Sequence, residues 1–254
     1  RARAISLIAS ITGQVHPPLT HAEMDEALWS QGIRADEKSP QALVSIPRQL
    51  PDPHDPAYWS VVMRGLRQST IELRGVLEGT SSDEQAPERL VLFPLSSTSV
   101  LVLAGRVIGD KANVTVFQPF RNAPKNRWLW PTGASANEFR STVLGAGQQG
   151  GEACLRVSLT FDITDDRVRT AGVPTVHIRA ARQGHDAIAR EEDLVAFGLC
   201  VDEALKVLQD QWKVETVHLF VGAPASACLK LGQKLQARHH ATIVVYETVQ
   251  SSKG

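Results

Sequence analysis

An internal duplication constrains this chain more than any other feature. Leu90-Val-Leu-Phe93 is a short apolar run closed by Pro94 and followed by the polar loop Ser96-Ser97-Thr98-Ser99. At one constant offset stands a second run, Val217-His-Leu-Phe220, followed by Gly222-Ala223-Pro224-Ala225-Ser226. Beyond Ser99 the apolar positions Leu101, Ala104 and Ile108 keep helical spacing, and Cys228, Leu231 and Leu235 repeat them beyond Ser226. Ser99 and Ser226 are each placed to N-cap the helix that follows. Gly105 and Gly232 correspond as well. A mid-helix glycine costs about 1 kcal/mol against alanine, so two in register predict a close contact, expected here between helix and sheet. Each helix leads into a further strand, Val114-Thr-Val-Phe-Gln118 and Ile243-Val-Val-Tyr-Glu247. The unit strand–loop–helix–strand is therefore present twice.

Upstream the copies diverge. Each has an earlier strand, expected near 42–46 and 155–161, and then an amphipathic helix. The first helix opens at Asp55-Pro56, an N-cap with proline at the first helical position, and sets Trp59, Val62, Leu66, Leu73 and Leu77 on or near one face. The second carries Leu194, Phe197, Val201, Leu205 and Leu208. Strands alternating with helices imply an α/β fold with a mainly parallel sheet in each half, the halves related by a pseudo-twofold. The segment 145–151 joins them, giving halves at 39–146 and 152–250. Within 1–38, Thr20-His-Ala-Glu23 is a capping box that opens a short helix with Met24 and Leu28. This stretch is expected to be an accessory helix or a connection to a further domain.

Composition narrows the function. Lys+Arg and Asp+Glu both number 27, so no global field draws the chain to nucleic acid or membrane, and any anion site must be local. Apolar residues make up 43% of the 254, enough for a substantial core. No apolar run approaches the ~20 residues of a membrane helix, and no secretory signal is read. The three cysteines, Cys154, Cys200 and Cys228, sit among apolar neighbours and read as buried thiols in a reducing cytoplasm.

In open parallel sheets, ligands bind beyond the carboxyl ends of the strands. Here those ends are the loops 94–99 and 222–226, both at helix N-termini, where free N–H groups and the dipole favour anions. Either serine alone could be only a cap; two at equivalent places favour a pseudo-twofold pocket. A second stretch, Gln118 to Trp130, interleaves Arg121, Lys125 and Arg127 with Trp128 and Trp130, and no acidic residue occurs from Lys111 through Asn137. Cations beside large rings suit a ligand with bases and phosphates. The alternative is a solvated basic loop with tryptophans in the core, the expected place for one of the two. Tyr246, at the end of the last repeated strand, is a further candidate contact.

Other signals carry less. Gly145-x-Gly147-x-x-Gly150 matches a dinucleotide fingerprint, but a strand follows it, so it reads as a linker. His239-His240 lies at a helix end without matching ligands, and Asp162, Asp165 and Asp166 read as a strand-end turn. No nucleophile–base set is visible, so the chain reads as a binding domain with no catalytic residues, metal or cofactor of its own.

Val217-His-Leu-Phe-Val-Gly-Ala-Pro-Ala-Ser226, with Leu231-Gly232 and the strand ending Val-Val-Tyr-Glu247, resembles the SAVED domain. The segment 92–130, with Gln118-Pro-Phe-Arg121 and Trp128-Leu-Trp130, is similar to that family's first half, although Ser96-Ser97-Thr98-Ser99 replaces a loop that more usually contains proline. The resemblance spans roughly residues 40–250. It implies two fused CARF-like, Rossmann-like units that bind a cyclic di- or trinucleotide in bacterial CBASS anti-phage defence. It implies also an effector domain in the same full-length chain, an HNH DNA endonuclease by first expectation, with a TIR or protease effector as alternatives. Ligand binding would then promote homo-oligomerisation, with no direct nucleic-acid binding by this domain. A chain headed by Arg1 fits the expectation of a piece of a longer cytoplasmic protein. The competing class is an enzyme that cleaves a cyclic oligonucleotide. The expected contacts are Pro94, Ser96, Ser97, Thr98, Ser99, Gln118, Arg121, Lys125, Trp128 and Trp130 in the first half. In the second they are Gly222, Ala223, Pro224, Ser226 and Tyr246.

Overall fold

The computed structural model describes residues 6–12, 19–33, 41–45, 55–77, 89–109, 113–123, 125–147, 150–165, 168, 172–235 and 241–247. The first half runs β1 (Ser6–Thr12), α1 (His21–Ser30), β2 (Gln41–Ser45), α2 (Ala57–Leu77), β3 (Arg89–Leu95), α3 (Thr98–Ile108) and β4 (Asn113–Val116). The second runs β5 (Phe139–Leu144), β6 (Glu152–Ser158), β7 (Thr175–Ala180), α4 (Glu191–Lys206) with a closing π-helical turn at Val207–Gln211, β8 (Thr216–Gly222), α5 (Ala225–Lys234) and β9 (Thr242–Tyr246).

The strands form two sheets, ordered β2-β1-β3-β4 and β5-β7-β6-β8-β9. Every pairing is parallel except that of β5 with β7. With β5 set aside, the second order repeats the first strand for strand, so the duplication read from the loops extends across both sheets, with α1 as an element particular to the first half. Three strands depart from the sequence reading. β1 lies inside the first sheet, paired with both β2 and β3, which corrects the reading of 1–38 as accessory alone. β7 supplies the second unit's counterpart of β2, and β5 is an added antiparallel edge. The strand expected at 155–161 is β6, shifted towards the N-terminus. In α2, Val62 is buried as expected, whereas Trp59 is 37% exposed; the side chains of Leu66, Leu73 and Leu77 lie outside the described residues.

One core runs across both halves, from Leu90, Leu92 and Leu101 to Leu155, Val157, Phe197 and Leu229. Its centre is the packing of α3 against α5. A Cβ built on Gly105 would collide with the Leu229 carbonyl and stand 3.0 Å from Gln233 N and Gly232 Cα. One on Gly232 would collide with the Val102 carbonyl and stand 2.9 Å from Arg106 N. The paired glycines thus serve helix–helix contact across the pseudo-dyad, not the helix–sheet contact expected. Backbone meets backbone there, leaving no room for a side chain.

A second core belongs to the first half. Val91, Phe93 and Leu95 on the far face of β3 pack with Phe117 and Trp128 beneath Met24, Ala27 and Leu28 of α1. The capping box is formed as read: Glu23 N–H donates to Thr20 Oγ1 and Thr20 N–H to Glu23 Oε2. The segment read as joining the halves follows β5 and so stands inside the second unit, where it packs, since a Cβ on Gly147 would collide with the Trp212 ring.

Candidate functional site

At the carboxyl ends of β3 and β8 the two halves enclose a cavity of about 950 Å³. From the first half Ser96, Thr98, Gln118, Phe120, Arg121 and Lys125 line it; from the second, Gly222, Ala223, Pro224, Phe161, His185 and Glu247. The parallel topology places both strand-to-helix loops at one end of their sheets, and the α3–α5 contact brings those ends together.

The floor is built by reciprocal exchange. Ser99 and Ser226 are fully buried and stand in the first turns of α3 and α5, one position further in than the second helical residue's predecessor, with Ser97 and Pro224 as the N-cap residues. Neither cap residue makes a side-chain cap bond. The first turns are satisfied from the opposite half instead. Ser99 N–H donates to Glu247 Oε2 at 2.8 Å, and the Ser99 hydroxyl donates to the same oxygen. Ser226 N–H donates to Gln118 Oε1 at 3.1 Å and its hydroxyl does so at 2.6 Å. Gln118 follows β4 and Glu247 follows β9, so each comes from the last strand of its own half and caps the other half's helix. The expectation that Ser99 and Ser226 are N-caps of their own helices is corrected accordingly: their backbone N–H groups receive a cap.

The basic segment is anchored on α1. Asn126 Nδ2 donates to the Glu23 carbonyl and to Glu26 Oε2, both at 2.9 Å, and Asn126 Oδ1 accepts from Trp128 N–H. Arg127 pairs with Glu23 at 3.6 Å and also lines the cavity. Arg121 and Lys125 are exposed at its rim.

The tryptophans do not line it. Trp128 is fully buried, edge-on to Phe93 at 5.1 Å, and Trp130 is half-buried against Phe120 and the shared core. Both pack, because the segment folds its apolar alternate positions inward; Phe120 and Phe161 supply the cavity's rings instead. A Cβ on Gly222 would stand 2.8 Å from the Phe161 ring, so the glycine is what lets that ring lie over the loop. Pro94 is a strand residue of β3, and Tyr246 stacks on Phe220 at 4.4 Å and hydrogen-bonds His218. Neither lines the cavity, and Tyr246 lies on the sheet face beside β8. Asp162 and Asp165 engage Arg179 and Arg156, and no metal-ligating cluster occurs among the described residues. Asp166 and His239-His240 lie outside them.

Sequence reasoning missed Phe120, Phe161, His185 and Glu247. For Glu247 the signal was present: it ends its repeated strand as Gln118 ends the other. Its charge is felt locally. Burial, with the Glu247 carboxylate adding to it, pushes the Cys228 thiol up to about 12, and the same two causes raise Tyr58.

The family described as SMODS-associated and fused to various effectors sensor domain, SAVED, matches residues 72–254. The chain belongs to the SAVED family. The fold agrees. The SAVED/CARF-domain receptor Cap4 of Acinetobacter baumannii, solved with the cyclic trinucleotide 2'3'3'-cAAA, superposes with a TM-score of 0.58 at 14% identity, over 95% of this chain and 48% of that one. Its complex with 3'3'3'-cAAA gives 0.59 at 18% identity, over 85% and 47%. This SAVED chain therefore spans about half the length of those receptors. No curated protein matches it in sequence.

Proposed function

We propose that the chain is a sensor for a cyclic oligonucleotide, held in the cavity between its two halves. The observation that carries this reading is the cavity itself: at about 950 Å³ it is larger than a mononucleotide needs, and it lies where both duplicated loops converge beside Arg121 and Lys125. Rings from Phe120 and Phe161 and local cations on a chain of zero net charge suit bases and phosphates. The Cap4 receptors with cyclic triadenylates support a cyclic trinucleotide over a dinucleotide.

The reading is of a binding domain. The only thiol lining the cavity among the described residues, Cys228, is held neutral at physiological pH and is no nucleophile. An effector in the same full-length chain, such as an HNH DNA endonuclease, and ligand-driven assembly complete the proposal; the family's description as a sensor domain fused to various effectors supports the first of these. A ligand touching both halves stabilises the relative orientation it binds best. Calorimetric titration with cyclic di-, tri- and tetranucleotides tests the reading, and absence of binding across the panel at micromolar protein rejects it. Light scattering of the same samples reads assembly.

A further inference from the structure

Gln118 and Glu247 occupy equivalent places, cap opposite helices and line the same cavity, yet they leave it different groups. Gln118 uses both ends of its amide within the protein: Oε1 accepts from Ser226, and Nε2 donates to the Pro119 carbonyl at 3.0 Å. Glu247 uses Oε2 on Ser99, and its Oε1 makes no hydrogen bond among the described residues. The cavity is thus neutral at the α5 end of its floor, where the amide oxygen already accepts two hydrogen bonds. At the α3 end it holds an anion with an acceptor oxygen to offer.

Resting on the sensor reading above, we infer that Glu247 sets which part of the ligand faces α3: a nucleobase edge carrying N–H donors, and not a phosphate. Two physical effects act together. The α3 N-terminus, which would otherwise attract a phosphate, already holds a carboxylate, and a second anion there meets like charge. A carboxylate oxygen with no partner among the described residues is a strong acceptor for an exocyclic amino or ring N–H group. The phosphates are thereby directed to Arg121 and Lys125 on the first half, so the ligand enters in one orientation although the protein's two units are alike.

Glu247→Gln is the discriminating substitution. Its Oε1 can keep the cap on Ser99, as Gln118 does for Ser226, while its Nε2 replaces the offered acceptor with a donor. The probes are cyclic triadenylate and the analogue in which hydrogen replaces each adenine amino group. The wild-type chain binds the triadenylate about tenfold tighter than the analogue, the worth of one hydrogen bond to a charged group, and Glu247→Gln abolishes that preference. Gln118→Ala, a second variant that removes the α5 cap without offering an acceptor, weakens both probes and leaves their ratio unchanged. Equal affinity of the wild-type chain for both probes, a preference that survives Glu247→Gln, or a ratio that changes in Gln118→Ala overturns the inference and leaves the sensor reading standing. Binding of neither probe to the wild-type chain overturns both for this ligand.

Discussion

Replacing Gly105 by alanine sets two well-known effects against each other. Helix propensity alone favours the substitution by about 1 kcal/mol, since Gly105 lies inside α3. Packing opposes it. The new Cβ would collide with the Leu229 carbonyl and press on Gln233 N and Gly232 Cα at 3.0 Å, all backbone atoms of α5 that cannot rotate aside. Relief comes only by parting the helices, by roughly 1 Å, which opens gaps between side chains along the shared core and forfeits much of their dispersion contact. Overpacking of this kind costs about 1–3 kcal/mol, and a backbone obstacle places it at the upper end. The net expectation for Gly105→Ala is destabilisation by about 2 kcal/mol after the propensity gain. Urea unfolding followed by circular dichroism measures it, and nucleotide titration reads whether the cavity above the contact is disturbed. Unchanged or increased stability would show that the glycine pair does not hold the halves at their observed separation.

Three further outcomes are expected. Arg121→Ala and Lys125→Ala each weaken ligand binding roughly fivefold, as befits exposed cations, and flatten its salt dependence; calorimetry at two ionic strengths checks this, and unchanged affinity in both would remove them from the site. His177, fully buried against Ser158 at 2.7 Å, is held down to about 4 by burial first and by the Arg179 charge second. Its unfolded value is near 6.5, so it favours the folded state fully above that pH and loses roughly 3 kcal/mol as pH falls towards 4. His177→Gln flattens the stability–pH curve in this window, and superimposable curves would refute the assignment. Burial raises Cys200 to about 11 and Cys228 to about 12, so both resist iodoacetamide at pH 8 in the folded chain and react after unfolding, as mass spectrometry would show.

The duplicated loops and helices were legible because each is a local pattern: an apolar run, small residues, then helical spacing. β1 was not, since Ser6-Leu-Ile-Ala-Ser-Ile-Thr12 mixes small and branched residues without strict alternation, and its membership of the sheet rests on pairing with distant β2 and β3. β5 is mostly exposed and owes its place to antiparallel pairing with β7. At the cavity, the lining cations Arg121 and Lys125 were legible as local charge, whereas which tryptophan enters the core was not, because the burial of Trp128 depends on α1, a long-range partner that periodicity cannot see. The crossed caps were hidden for the same reason: Ser99 and Glu247 meet only when both halves are folded and docked.

Those crossed caps bear on why two such units are joined in one polypeptide. A dimer of identical subunits obeys its rotation axis, so whatever side chain stands at one helix end must stand at the other. Covalent fusion removes that obligation. Each position can then mutate alone, and here one has become acidic while its counterpart is an uncharged amide. A binding surface with a head and a tail thereby arises from two copies of one motif, something no perfectly symmetric pair could present.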